Sequence, residues 1–171
     1  FEGKLRPVEN VSWCDAIIFC NTLSLLEGLD LAYQTPESFQ NTKDWAGGVV
    51  WKQNSNGYRL PTVAEWEYCA RSGQSFRYAG SNDIKKVAAY RRENTQGTLQ
   101  VGQKKPNSWG FFDMSGNVWE WCWDEVFEKN AQGHKSSCGG CWQSFEIGCT
   151  ISFPVTARPE SRSMNRGFRI F

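Results

Sequence analysis

The chain has 171 residues, enough for one domain and too few for two ordinary ones. With 40% hydrophobic and 22% charged residues the composition is globular, which excludes disordered and low-complexity classes. Lys and Arg total 19 against 18 Asp and Glu, and a net charge of +1 gives no field for steering a nucleic acid or an anionic membrane.

The opening, Phe1-Glu2-Gly3, carries no signal sequence, so residues 1–171 read as a single domain cut from a longer protein. Ser12 is placed to cap a helix, with Asp15 three residues on in a capping-box arrangement. Ala16, Phe19, Cys20, Leu23 and Leu26 then recur at helical spacing, Asp15, Asn21, Ser24 and Glu27 mark the wet face, and Gly28 sits just past the end. The longest apolar run, Ala16-Ile17-Ile18-Phe19-Cys20, is far short of the ~20 residues that span a bilayer. Val49-Val50-Trp51 and Tyr58-Arg59-Leu60 flank Asn56-Gly57 and predict a hairpin. Pro61 stops that segment, Thr62 caps a second helix, and Glu65 completes its box. Val63, Trp66, Cys69 and Ala70 face inward there, and Gly73 closes the helix. Thr98 to Val101, Val118 to Trp121 and Phe168 to Phe171 are short strand candidates, while Arg71 to Asp83 and Glu125 to Gly140 read as loop. Two modest helices, brief strands and long loops indicate an α+β domain.

Nine Trp, 11 Phe and 5 Tyr stand beside 16 Gly, so the rings can fill a core without long regular elements. Seven Cys is an odd count and cannot all pair within the chain. Cys14, Cys20, Cys69 and Cys122 read as small core hydrophobes, whereas Cys138, Cys141 and Cys149 lie in a glycine-rich stretch. This pattern assigns no redox compartment.

Five phrases occur in order: Pro7-Val8-Glu9-Asn10-Val11-Ser12-Trp13; Tyr58-Arg59-Leu60-Pro61-Thr62 with Glu65-Trp66-Glu67-Tyr68; Asp113-Met114-Ser115-Gly116-Asn117-Val118-Trp119-Glu120-Trp121; Gly139-Gly140-Cys141-Trp142; and Gly167-Phe168-Arg169. In this order the chain resembles, almost end to end, the formylglycine-generating (sulfatase-modifying factor) family. The resemblance implies a C-type lectin fold with two helices, short strands and long loops, in which Phe168 to Phe171 would be a closing strand.

That family places a calcium at the third phrase, so the resemblance makes Asn117, the Val118 carbonyl and Glu120 candidate ligands; oxygen donors are what calcium prefers. The alternative stays open that Asn117 binds turn backbone and Glu120 meets an arginine. A second calcium site of the family is expected to be absent, because Ala88-Ala89-Tyr90 stands where an asparagine is usual. The family's oxidase chemistry uses two cysteines five positions apart that bind copper. On the register set by Gly139-Gly140-Cys141-Trp142 the first falls on Ser144 and the second on Cys149. A hydroxyl does not replace a soft thiolate toward Cu(I), so no copper and no catalytic residues are expected. Cys138 and Cys141 have a Cys-x-x-Cys spacing, but His134 is the only imidazole and no helix follows, so idle loop thiols are the plainer reading.

The stretch from Gln143 to Ala157 has no helical or strand period and scatters Phe145, Ile147, Phe153 and Val155 among Ser, Gly, Thr and Pro. Between two conserved-looking phrases, this mixed segment resembles the variable proteins of diversity-generating retroelements, the treponemal variable proteins among them. In those proteins adenine-directed mutagenesis rewrites the C-terminal segment of a C-type lectin scaffold. The resemblance implies a non-catalytic, receptor-like domain on the cell surface, with a lipoprotein anchor as one option, and a variable segment at about 138–157. The expected ligand-binding residues are Trp142, Gln143, Ser144, Phe145, Ile147, Gly148, Ser152, Phe153, Val155 and Ala157, with Trp142 as scaffold at the edge. The partner would be a protein or other macromolecule, not a nucleic acid, met by a monomer. The alternatives are an oxidase of the parent family or a related enzyme using other residues, an accessory structural domain in which Phe145, Ile147 and Phe153 fill the core, and a sugar-binding lectin. The last lacks its Glu-Pro-Asn or Gln-Pro-Asp signature.

Overall fold

Both capping boxes form as their spacing predicts, and they fix where the two longest helices begin. In the computed structural model, which describes residues 3–37, 42–93, 96–126 and 131–171, helix α1 is Trp13–Leu26. The Ser12 amide donates to Asp15 Oδ2 at 2.7 Å and the Asp15 amide to Ser12 Oγ at 3.1 Å. Further along, the pair β1 (Tyr33–Gln34) and β2 (Val50–Trp51) brackets a short helix α2 (Thr42–Gly47). Helix α3 (Val63–Arg71) repeats the device: the Thr62 amide meets Glu65 Oε2 at 2.8 Å, and the Glu65 amide meets Thr62 Oγ1 at 3.2 Å. It ends on Ser72 in the left-handed region, φ 47°, ahead of Gly73.

Two details of the predicted helices change. The buried face of α1 is Trp13, Ile17, Cys20 and Ser24, while Phe19 and Leu26 stand exposed. Ser24 goes inside because its hydroxyl donates to the Cys20 carbonyl and accepts from the Tyr58 amide, each at 2.8 Å, which satisfies a buried polar group. The second change is that a short helix α4 (Ile84–Val87) joins α1, α2 and α3, so the described residues hold more than two α-helices.

The predicted hairpin across Asn56-Gly57 does not form. Val50 and Trp51 pair instead with Gln34 and Tyr33, and Arg59 exchanges two backbone hydrogen bonds with Phe171 at 2.9 and 2.8 Å. Strand β3 (Ala88–Ala89) runs parallel to β4 (Ser115–Gly116). Thr98 to Val101 forms no strand; its Leu99 amide donates to Asn117 Oδ1 at 3.0 Å.

The main sheet has four strands in the order β7-β6-β5-β8: β5 (Trp119–Val126), β6 (His134–Cys138), β7 (Val155–Ala157) and β8 (Arg166–Phe168). The closing strand, expected at Phe168 to Phe171, is instead Arg166–Phe168 and lies parallel to β5, with Trp119, Glu120 and Trp121 opposite Arg166, Gly167 and Phe168. The stretch Glu125 to Gly140, expected as loop, therefore contains the end of one strand and all of another; residues 127–130 lie outside the described residues.

Rings fill the space between the sheet and the helices. Trp13, Ile17, Tyr33, Trp45, Leu60 and Trp121 form one buried cluster, against which Trp123 stacks on Tyr33 with centroids 5.2 Å apart. The buried Lys135 ammonium lies 4.6 Å from the Trp13 ring centroid and 5.4 Å from that of Trp123, and pairs with Glu125 at 3.2 Å. A second cluster gathers Trp66, Met114, Cys122, Cys138 and Ile151, and a third Tyr78, Ile84, Val87, Tyr90 and Cys149.

The capping carboxylates make stability depend on pH. Partial burial pushes both up, but hydrogen bonds from Ser12 and the Arg162 guanidinium outweigh it at Asp15, and those from Arg59 and Thr62 do so at Glu65. Both therefore titrate below the ordinary carboxylate range in the folded chain, so their contribution is complete above the unfolded values of about 3.9 and 4.3. It is lost as pH falls from there through the native values. Thermal midpoints measured from pH 6 to pH 2 are expected to drop below about pH 4, with a shallower drop in Asp15→Asn and Glu65→Gln.

Candidate functional site

The segment after β6 begins with Gly139 and Gly140, both in the left-handed region at φ 94° and 79°. A turn follows in which Ser144 Oγ accepts from the Cys141 amide at 3.0 Å and lies 3.3 Å from Cys141 Sγ. Glu146–Cys149 then forms a short 3-10 helix in which the Gly148 amide donates to the Phe145 carbonyl at 3.0 Å. The turn is tied to the scaffold from three sides. The Trp142 amide donates to the Asn117 carbonyl at 2.9 Å, the Arg91 amide to the Ser144 carbonyl at 3.1 Å, and Ser115 Oγ to the Cys149 carbonyl at 2.9 Å.

On this fixed backbone the large apolar side chains point outward. Phe145 is 57% exposed, Ile147 53% and Phe153 40%, so they do not fill the core. Arg91 lays its guanidinium 4.5 Å from the Phe145 ring centroid, and Arg92 pairs with Glu146 at 3.0 Å. Ser152 is exposed; its hydroxyl takes a hydrogen bond from Arg71 and donates to Glu67 Oε2 at 3.2 Å, which anchors the far end of the segment to α3. Gln143 is exposed beside Asn165, whose Nδ2 donates to Gln143 Oε1 at 3.2 Å. Trp142 is partly buried, with its Nε1 3.4 Å from the Met164 carbonyl, a scaffold residue at the edge.

Four of the expected binding residues do not present a free side chain to this face. Gly148 is buried, and a Cβ added there would sit 3.3 Å from Ser144 Cβ. Ser144 spends its hydroxyl on holding the turn. Val155 and Ala157 belong to β7, opposite Ser137 and Lys135, and Ala157 packs on the Trp13 cluster. Arg91, Arg92 and Glu146 are the residues that sequence reasoning missed. Their only trace was the departure at Ala88-Ala89-Tyr90, directly before the two arginines.

The Asn117 and Glu120 side chains are already occupied. Asn117, at φ 65°, accepts the Leu99 amide on Oδ1. Glu120 Oε1 takes Arg169 at 2.7 Å, while Oε2 takes Arg169 Nε at 3.0 Å and the Trp66 indole N–H at 2.7 Å. The structure thus shows the alternative arrangement, Asn117 on loop backbone and Glu120 on an arginine, and a calcium held by Asn117, the Val118 carbonyl and Glu120 would share the carboxylate with Arg169. Among the described residues no group of three or more His, Cys, Asp and Glu is placed to hold a metal.

The copper position does not fit its metal. Cys149 is fully buried, and burial, reinforced by Cys141 and Glu146, pushes its thiol up to about 12. Ser144, at the other position of the pair, offers a hydroxyl where a soft sulfur is needed. Cys138 and Cys141 aim apart, one at Cys122 Sγ and the other at Ser144.

Residues 2–171 match the sulfatase-modifying factor enzyme 1-like domain. The chain belongs to that family. This sulfatase-modifying-factor domain is 36% identical to the chaperone protein LppX of Paenibacillus barcinonensis over 99% of the chain and 71% of that protein. It is 32% identical to the formylglycine-generating enzyme of Thermomonospora curvata over 70% of the chain, but spans only 33% of the enzyme. Among solved structures, Treponema denticola variable protein 1 superimposes with a TM-score of 0.89 at 32% identity, covering 97% of the chain and 70% of that protein. CarF gives a TM-score of 0.87 at 34% identity, covering 99% and 68%. The mixed α+β architecture is thus that of the sulfatase-modifying-factor and variable-protein group. Among the described residues no helix is long and apolar enough to cross a membrane.

Proposed function

We propose that this domain is a non-catalytic binding module that recognises a protein partner through Gln143, Phe145, Ile147, Ser152 and Phe153. The observation that carries this reading is the contrast within one segment. Its backbone is tied to the scaffold at Ser115, Asn117 and Arg91, while Phe145, Ile147 and Phe153 stand 40–57% exposed. A rigid backbone with solvent-facing apolar anchors lets recognition change without refolding. Apolar anchors favour a protein surface over a sugar or a nucleic acid. The likeness to a treponemal variable protein supports the same reading and a location on the cell surface. A hydroxyl at Ser144 in place of the first thiol counts against the oxidase.

The test is a combined replacement. Phe145→Ser, Ile147→Ser and Phe153→Ser together are expected to lower stability by no more than about 1.5 kcal/mol, because each is a surface substitution worth about 0.5 kcal/mol at most. A loss of several kcal/mol in urea would make them core residues and sink the binding surface. Among isolates, substitutions in the gene should cluster at 143–153, and even scatter along the chain would count against diversification. Conversion of a cysteine-containing peptide to formylglycine by the copper-supplied domain would establish the oxidase instead.

A further inference from the structure

Cys122 and Cys138 are set with their sulfurs in direct contact. Cys122 lies on β5 and Cys138 ends β6, the antiparallel strand beside it, with their Sγ atoms 3.7 Å apart. Neither is more than 1% exposed, and Trp66, Ala70, Ala79, Met114 and Ile151 surround them. Cys14 and Cys20 belong to the Trp13 cluster, and Cys141 is turned onto Ser144. The ladder register shifts between Trp121 and Glu125, so Cys122 sits where the strand is not locked into regular pairing.

We propose that Cys122 and Cys138 are a disulfide-forming pair that staples β5 to β6 when the chain folds in the presence of a disulfide oxidant. The ladder sets Cys138 opposite Glu120, two residues before Cys122, so the pair is diagonal; a bond of about 2.0 Å needs the sulfurs to close in from 3.7 Å and the Cα atoms to come within the roughly 7 Å that a disulfide tolerates. In the exchange, one cysteine thiolate attacks the oxidant disulfide and expels one thiolate, forming a mixed disulfide. The second cysteine, as its thiolate, attacks the protein sulfur of that mixed disulfide and expels the other. Two protein thiols have then lost two electrons and two protons, and one oxidant disulfide has become two thiols. The hydrogen bond to Cys138 and burial hold the Cys122 thiol well above its ordinary value, which makes it inert once the core has closed. The bond therefore forms during folding, before Trp66 and Met114 seal the site. Its place matters for the recognition segment: Cys138 directly precedes Gly139 and Gly140, so the staple fixes the strand from which that segment departs.

The experiment is to refold the chain from denaturant in a buffer of oxidised and reduced glutathione, then alkylate in denaturant and map peptides by tandem mass spectrometry. The expected result is a protein with two of its seven thiols protected, joined as Cys122–Cys138. Its thermal midpoint should lie roughly 5–10 °C above that of the same sample kept reduced. In Cys122→Ala/Cys138→Ala the difference between oxidised and reduced samples should vanish. All seven thiols alkylated, or a bond mapped to other cysteines, overturns the proposal. If the double variant does not fold, the peptide map of the unaltered chain still decides.

Discussion

Glu120→Ala is expected to lower the unfolding free energy by about 3–5 kcal/mol, the range for removing one member of a buried ion pair. The Glu120 side chain is 6% exposed, and its two oxygens accept three charged or polar donors from Arg169 and Trp66. Deleting the carboxylate leaves the Trp66 indole N–H without an acceptor in a core it shares with Met114 and Ile151. Arg169 is less stranded. Its side chain is 26% exposed and keeps a hydrogen bond to the Phe112 carbonyl at 2.8 Å, which argues for the lower half of the range. Glu120→Gln separates the two contributions, since the amide oxygen still accepts from Trp66 while the charge opposite Arg169 is gone. Urea denaturation should rank the unaltered chain above Gln and Gln above Ala. A loss below about 1 kcal/mol for Ala would mean that water replaces the carboxylate freely.

The parts legible in the sequence are those whose cause is local. Ser12 with Asp15, and Thr62 with Glu65, announce helix starts because the capping hydrogen bonds span three residues. The order of the glycine- and tryptophan-rich phrases announces the architecture. Decisions made at long range stayed hidden. Ser24 is buried because Tyr58, 34 residues on, donates to it. The hairpin across Asn56-Gly57 lost to partners at Tyr33 and Phe171. Strand β6 was unreadable because His134-Lys135-Ser136-Ser137-Cys138 has a polar surface signature, yet its lysine is roofed by two indoles. The same division runs through the site. Phe145, Ile147 and Phe153 are conspicuous as apolar residues in an aperiodic segment, whereas Arg91 reaches Phe145 only through the fold.

Gly140→Ala should cost about 3 kcal/mol, combining left-handed strain with forced separation of packed backbone. A Cβ at this position would lie 2.7 Å from the Gly148 carbonyl oxygen, 2.8 Å from Cys149 Sγ and 2.9 Å from Cys149 Cα. Two of those three atoms are backbone, so no side-chain rotation relieves the contact. Gly73 supplies the control, since it has a similar φ of 75° but nothing within 4 Å of an added Cβ. Gly73→Ala should therefore show the conformational strain alone, about 1 kcal/mol. The excess at Gly140 measures how tightly the 3-10 helix is clamped against the end of β6. That clamp holds the backbone carrying Phe145 and Ile147, so amide exchange at Gly148 and Thr150, which donate to the Phe145 and Ile147 carbonyls, should accelerate in Gly140→Ala and stay unchanged in Gly73→Ala. Equal costs for the two variants would show that the segment yields to an extra methyl group, and a platform that yields cannot hold its anchors in fixed positions.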